Sequence, residues 1–328
     1  MKQFFIKIFA FFVSFLISFN IFGQAQRWKY NRSEVTFSTG ACNFIGELGG
    51  KNGIGTNNMS DFDFPSIRPI VNFGYSYRIL PKATWSNDIT FGYLYGNDKF
   101  TKEAFRSNRN ISFRSPIFEY SSIINYFLFS EKEGAKYTLS GYRLKPKRSI
   151  LPQIFKNKEV NVYPYIYTGI CFFHFNPQSK YPADGSVVSM RGKWVSLRPL
   201  KTEGEGIIPT RPEYSLNQIA IPIGIGLKYY LNRIWAVSFD YGIRITFTDY
   251  IDDVSTTYVD PNMLRSAIGG DQGELAAYFS NPSKNPNSLT FPGQQRGDLR
   301  DNDSYMFAKV TMYYKITIKD KIAIPKFK

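Results

Sequence analysis

Histidine and cysteine are nearly missing from this sequence: His174 is the only histidine, and Cys42 and Cys171 the only cysteines, in 328 residues. That leaves too little material for a Cys/His structural metal site and gives a histidine-based triad a single candidate base. Acidic residues are also scarce, 26 against 41 Lys and Arg, for a formal net charge of +15. Mean hydropathy is only −0.28, which excludes a bundle of membrane helices, since each needs a run of about 20 apolar residues. What is abundant is aromatic side chains, 17% of the chain, with charged residues at 20%. That composition argues against wholesale disorder. The excess of basic residues first suggests nucleic acid, or an acidic partner or surface.

Residues 1–25 decide against nucleic acid. Lys2 and Lys7 precede an apolar stretch over Ile8–Phe22, and Gly23, Gln24 and Ala25 follow it. A positive start, a short apolar segment and small residues are the marks of a secretory signal peptide. The competing reading, an N-terminal anchor, needs a longer apolar run. No cysteine follows at once, so lipoprotein processing is not expected, and the mature chain of residues 26–328 is read as exported.

Beyond residue 25 the dominant pattern has a period of two. Trp235, Val237, Phe239, Tyr241, Ile243, Ile245 and Phe247 alternate with Ala236, Ser238, Asp240, Gly242, Arg244 and Thr246. A strand points successive side chains to opposite faces, so one face meets something oily and the other something wet. The same phase recurs in Ile219–Tyr229, where Pro222 predicts a bulge or a local break in pairing. It recurs again in Met306–Ile318, and more weakly in Val71–Tyr77, Trp85–Tyr95 and Phe118–Tyr126. Strands are also expected near Ser33–Phe44 and Val160–Phe175. The total is about eight, each long enough to cross a bilayer at a tilt.

Two connections are tight, around Leu80–Lys82 and Leu231–Arg233. Those alternating with them are long: Ile45–Arg68, Asn97–Ile111, Asn176–Ser215 and Thr248–Asp303. Short turns at one end and long loops at the other suit an all-β, transmembrane, up-and-down antiparallel β-barrel of about eight strands. Its turns and both termini would be periplasmic and its long loops extracellular. Phe129–Glu159 is the exception, an insert of about 30 residues on the turn side. A secreted β-sandwich also alternates, but it should have shorter strands and no uniformly oily outside.

Candidate sites are few. Gly224 and Gly226 mimic the start of a dinucleotide loop but sit inside a strand, where small residues suit a narrow barrel interior. His174, near the outer end of a strand, could serve a lipid-modifying enzyme, yet the sequence places no serine or carboxylate beside it. Cys42 and Cys171 fall on the first and fifth strands, on opposite sides of the barrel, and are expected free and buried. Asp249, Asp252, Asp253 and Asp260 supply hard oxygen ligands, but their spacing fits no defined calcium loop. A hydrogen-bonded outer loop is the expected role for them. No metal and no cofactor is assigned.

Charge is more informative. Without the two lysines of the signal segment, 39 basic residues face 26 acidic ones, an excess of 13. The four long loops together carry −2, the strands +2 and the periplasmic segments +13. The Phe129–Glu159 insert alone carries +5 and holds Lys145, Lys147, Arg148, Lys156 and Lys158. One reading is attraction to anionic headgroups. The functional one is a docking surface for an acidic periplasmic protein.

Several stretches are familiar: Asn110–Pro116 with Ile117–Glu119, Phe173–Pro177, Trp194–Gly206, Tyr214–Pro222, Phe247–Pro261 and Arg296–Asp303. Together they resemble the PorG-like outer-membrane barrel family of Bacteroidetes, a component of the type IX secretion system. The Asp252–Tyr258 stretch is the most specific part. The resemblance implies a non-enzymatic barrel that associates with the periplasmic ring proteins of that machine. Partners would be those ring proteins, through an acidic surface, and outer-membrane lipid, with no nucleic acid. The alternatives are the His174 enzyme and a surface adhesin or general structural barrel.

Overall fold

The computed structural model describes residues 32–46, 48, 64–100, 103–129, 162–232, 234–285, 289–298 and 301–316. Ten strands are present: β1 (Ser33–Ile45), β2 (Arg68–Leu80), β3 (Ala83–Asn97), β4 (Ser112–Phe127), β5 (Val162–Phe175), β6 (Gln178–Lys180), β7 (Trp194–Ser196), β8 (Asn217–Tyr230), β9 (Trp235–Thr246) and β10 (Ser304–Ile316). β6 and β7 are three-residue strands in a loop. The other eight pair antiparallel in the order β3-β2-β1-β10-β9-β8-β5-β4, and β4 pairs back to β3, closing the barrel. Closure pairs the backbone of both would-be edge strands.

The alternation sets which way the wall faces. On β8, Ile219, Ile221, Ile223, Ile225, Leu227 and Tyr229 are all exposed on the outside. On β9, Ser238, Asp240, Arg244 and Thr246 are buried inside while Phe239 and Ile245 point out. Val310, Met312 and Tyr314 of β10 and Val71, Phe73 and Tyr75 of β2 complete the same outer belt. A barrel that exposes its large apolar side chains and buries its ions is built for a hydrocarbon solvent. No helix among the described residues is long and apolar enough to cross a membrane.

The two tight turns fall where the pattern puts them. At Leu231–Arg233, the Asn232 side chain accepts from the backbone N–H of Ile234 and Trp235, both at 2.8 Å. At Leu80–Lys82 the β2–β3 register shifts between Arg78 and Leu80. Pro222 makes no such shift. Its register with β9 is unbroken, and on the β5 side pairing lapses between Thr168↔Ile223 and Cys171↔Ala220 and resumes in the same register. Pro222 has no N–H to donate, so the consequence is a break in pairing rather than a bulge.

Inside, three polar layers stack along the axis. Nearest the turns, Lys228 Nζ lies 2.6 Å from Glu34 Oε2 and 4.0 Å over the Tyr313 ring. Next, Lys309 approaches Asp88 at 4.0 Å, while Tyr165 donates to Asp240. Then Arg244 meets Glu119 at 3.5 Å, and Tyr305 donates to the same carboxylate at 2.7 Å. Gly224 and Gly226 carry no side chain because Tyr167 and Tyr165 fill the space: a Cβ at either would lie 2.3 Å from a tyrosine Cζ.

Toward the loops the interior turns apolar. Phe44, Ile70, Leu94, Phe113, Phe173 and Phe175 form a buried plug. Cys42 and Cys171 belong to it, on strands four places apart around the wall, and both thiols are free. The described interior holds a void of about 20 Å³ beside Asp88, Asp240 and Lys309, room for about one water molecule.

Candidate functional site

The long loops close over the plug as a folded cap. The β3–β4 connection contains α1 (Ala104–Arg109), started by Glu103, whose carboxylate accepts from Phe105 and Arg106 N–H. Asp98 holds the other end: both Arg109 contacts to it measure 2.9 Å, and Ile111 N–H donates at 3.0 Å. Arg109 also donates to the Arg296 carbonyl at 2.9 Å, tying this loop to the β9–β10 connection.

That connection contains α2 (Pro261–Ile268) and α3 (Gly270–Ser280). Asp260 caps α2 by accepting from Asn262 N–H, as an acidic residue at a helix start should. Leu264, Leu275 and Phe279 pack with Tyr181, Leu197 and Leu200 of the β5–β8 connection into a second core. The small β6–β7 ribbon extends from β4, and Arg114 lies 4.1 Å over the Trp194 ring beside it.

The two largest loops meet at a buried ionic junction. Gly204 (φ 78°) and Gly206 (φ 69°) take the left-handed backbone that lets Glu203 and Glu205 both turn inward. Glu203 is saturated: it accepts from Ser255 and Thr256 N–H at 3.0 and 2.8 Å, from the Thr256 hydroxyl, and from Arg296 at 2.7 Å. Asp253 accepts from the hydroxyls of Thr202 and Tyr214, each at 2.6 Å. Tyr214 stacks on Tyr250 and on Phe175, so the junction is mechanically continuous with the plug.

Glu205 differs from its neighbours. It is 2% exposed, accepts the Glu203 N–H at 3.1 Å through Oε2 and its own backbone N–H, and among the described residues its Oε1 has no hydrogen-bond partner. Burial, with Asp253 and Glu203 nearby, pushes its carboxyl up to about 8. Asp253 is raised by burial as well, opposed by Arg296 and by the Thr202 and Tyr214 hydroxyls. Burial alone would lower Arg296, but Glu203 and Asp253 hold it above the ordinary guanidinium value.

The candidate residues of the sequence divide accordingly. Asp249, Asp252, Asp253 and Asp260 are not gathered into a cation cage, and no set of three His, Cys, Asp or Glu converges to hold a metal among the described residues. Asp252 accepts from Val254 N–H at 3.0 Å, the turn chemistry the sequence suggests. His174 points outward at the loop end of β5 and meets Asn217 Oδ1 at 2.9 Å. Among the described residues no carboxylate or serine is hydrogen-bonded to its ring, so the described geometry offers no activated nucleophile or relay. The signal segment 1–25 and the basic residues Lys145, Lys147, Arg148, Lys156 and Lys158 lie outside the described residues. Glu203, Glu205, Arg296 and Tyr214 were missed as a group. The only local signal is Thr202–Gly206, where glycines flank an acidic residue.

No protein-family model and no curated protein matches the chain. Among solved structures, it is similar to a major outer membrane protein of Thermus thermophilus, with 11% identity over 87% of this chain and 99% of that one, TM-score 0.36. It is also similar to Neisserial surface protein A, 7% identical over 87% and 96%, TM-score 0.35. OprG of Pseudomonas aeruginosa gives 9% over 88% and 98%, TM-score 0.32. At such scores the barrel assignment rests on the strand pairing of this chain itself.

Proposed function

We propose that the protein is an integral outer-membrane barrel that conducts no solute and serves as a non-enzymatic anchor for the periplasmic ring of the type IX secretion system. The observation that carries the anchoring half is the combination of an apolar outer belt with a filled interior. A wall of this kind holds a chain in a bilayer, while the ion pairs and the aromatic plug leave nothing to permeate. The secretion half is supported by the resemblance of six stretches, Asp252–Tyr258 above all, and by the charge asymmetry of the sequence.

On this reading the short turns and the insert lie in the periplasm. Lys145, Lys147, Arg148, Lys156 and Lys158 are the docking residues, and the ring presents an acidic face to them. Complementary charge would orient the partner and speed its encounter rather than supply most of the affinity.

The test has two arms. Deleting the gene should stop secretion of cargo across the outer membrane. Reversing the five basic residues to glutamate should leave the barrel assembled but reduce recovery of the periplasmic ring in pull-downs. Normal cargo secretion from the deletion strain would sink the secretion role and leave a general structural barrel. Planar-bilayer recordings of the purified protein should show no steady conductance.

A further inference from the structure

We propose that the cap is locked by a proton on Glu205, so that its two largest loops separate as the pH rises. This lock is independent of the role given to the basic segments. Glu203, Glu205 and Asp253 are each no more than 2% exposed, and Arg296 is the guanidinium buried against them. Among the described residues Glu203 pairs with Arg296 at 2.7 Å while Glu205 and Asp253 make no ion pair, so ionising all three would leave two buried carboxylates without a direct counter-ion, which proteins avoid by protonating a group.

Hydrogen bonding decides which group takes the proton. Glu203 receives two backbone N–H groups, a hydroxyl and Arg296. Asp253 receives two hydroxyls. Glu205 receives backbone N–H groups alone, those of Glu203 and of its own residue, and its second oxygen, buried and without a hydrogen-bond partner among the described residues, is where a proton costs no existing contact. The anion is thus stabilised least at Glu205.

Among the described residues no surrounding cation forms an ion pair with Glu205. From its own loop, Glu205 sits near Glu203, Tyr214 and the Arg198–Lys201–Glu213 group, whose two cations already bind Glu213 at 3.2 and 2.8 Å. Arg211 keeps its charge, donating only to the neutral Glu203 and Thr257 carbonyls and the Thr257 hydroxyl, but it makes no ion pair with Glu205. From the β9–β10 connection come Tyr250, Asp253 and Arg296.

The sign follows. A carboxyl that holds its proton more tightly in the closed cap than in the open one favours closure at low pH. That preference is lost as pH rises from the ordinary value of 4.5 through the closed-state value of about 8. Each pH unit in that window costs about a tenfold change in the closed-to-open ratio. Since Tyr214 links Asp253 to the plug, opening would begin at residues 203–206 and 253–256 and leave the barrel wall intact.

The experiment is hydrogen–deuterium exchange on the full chain in lipid nanodiscs, in chelator-treated buffer from pH 5 to 9, corrected for intrinsic exchange. Wild-type peptides covering 203–206 and 253–256 should lose protection by up to about tenfold per pH unit, while β9 peptides stay protected. Glu205→Gln, a neutral mimic of the protonated acid, should abolish the slope and keep at pH 9 the protection seen at pH 5. Glu205→Ala should be equally flat, at lower protection. Should neither variant fold, a ¹³C titration of the wild-type Glu205 carboxyl decides: a midpoint in the ordinary carboxylate range overturns the proposal. A flat wild-type profile, or a Glu205→Gln profile as steep as wild type, overturns it too.

Discussion

In the barrel wall, large apolar side chains point outward and charges point in; in the cap, apolar side chains gather into a core, and charged ones divide between the surface and a buried junction. Ile225 and Arg244 illustrate the first arrangement, the one exposed and the other fully buried. Leu264 and Arg265 illustrate the second: Leu264 is buried, and Arg265 pairs with Glu274 on the surface at 2.7 Å. The same side-chain chemistry thus solves two solvation problems within one chain, because lipid tails bathe one region and water the other. The lesson concerns where electrostatics is strong. In the wall, Glu34 and Glu119 each pair with a buried cation and Asp88 and Asp240 share Lys309, whereas in the cap Glu205 is buried with no ion pair among the described residues. The missing ion pair is what makes the cap junction sensitive to pH.

This contrast can be broken at several points. The largest effect is expected from Arg244→Leu, which strands Glu119 unpaired in the barrel and should cost about 3–5 kcal/mol. Replacing both, Arg244→Met with Glu119→Leu, should recover most of that loss; urea titrations of the folded band on unheated gels would measure it. If the single and double variants are equally unstable, the pair is not the unit that matters. Next comes Ile225→Arg on the outer belt, with a cost of about 2–4 kcal/mol in lipid vesicles. The matching change in the cap, Val188→Arg, lies in water and should stay within about 0.5 kcal/mol. Equal costs for these two would contradict a lipid-facing wall.

Leu264→Ala should cost about 2–5 kcal/mol, but only to the cap, since its core is separate from the plug. Limited proteolysis should then cut within 247–303 while the barrel band persists. Smallest of all, Glu213→Gln removes a half-exposed partner of Lys201 and Arg198 and should leave both transitions where they were.

Much of the wall was legible in the sequence. The odd-numbered row of β9 reads apolar without interruption, and the structure places that row outside. β5 was harder, because Tyr165, Tyr167, Phe173 and Phe175 face inward while Ile166, Ile170 and Phe172 face outward. Apolar residues on both faces blur the alternation. Only the glycines opposite, at Gly224, Gly226 and Gly242, explain how two tyrosines fit inside. Pro222 was legible as a disturbance but not as its kind, since a break and a bulge differ only in the partner strand's register. In the cap, Asp253 was singled out for its acidic neighbours in sequence, yet its working contacts are Thr202 and Tyr214. Those lie 51 and 39 residues away.

The sequence by itself therefore determined the strands, their facing, the tight turns and the uneven charge of the two ends. These follow from a two-residue period and from turn chemistry, which act over a few neighbouring residues. Only the tertiary structure decided which ions meet across the barrel, that the described loops fold into a cap, and that Glu205 is buried with no ion pair among the described residues. Strand order and loop packing bring those groups together over tens to hundreds of residues, and the free energy of a buried charge depends on what surrounds it in space.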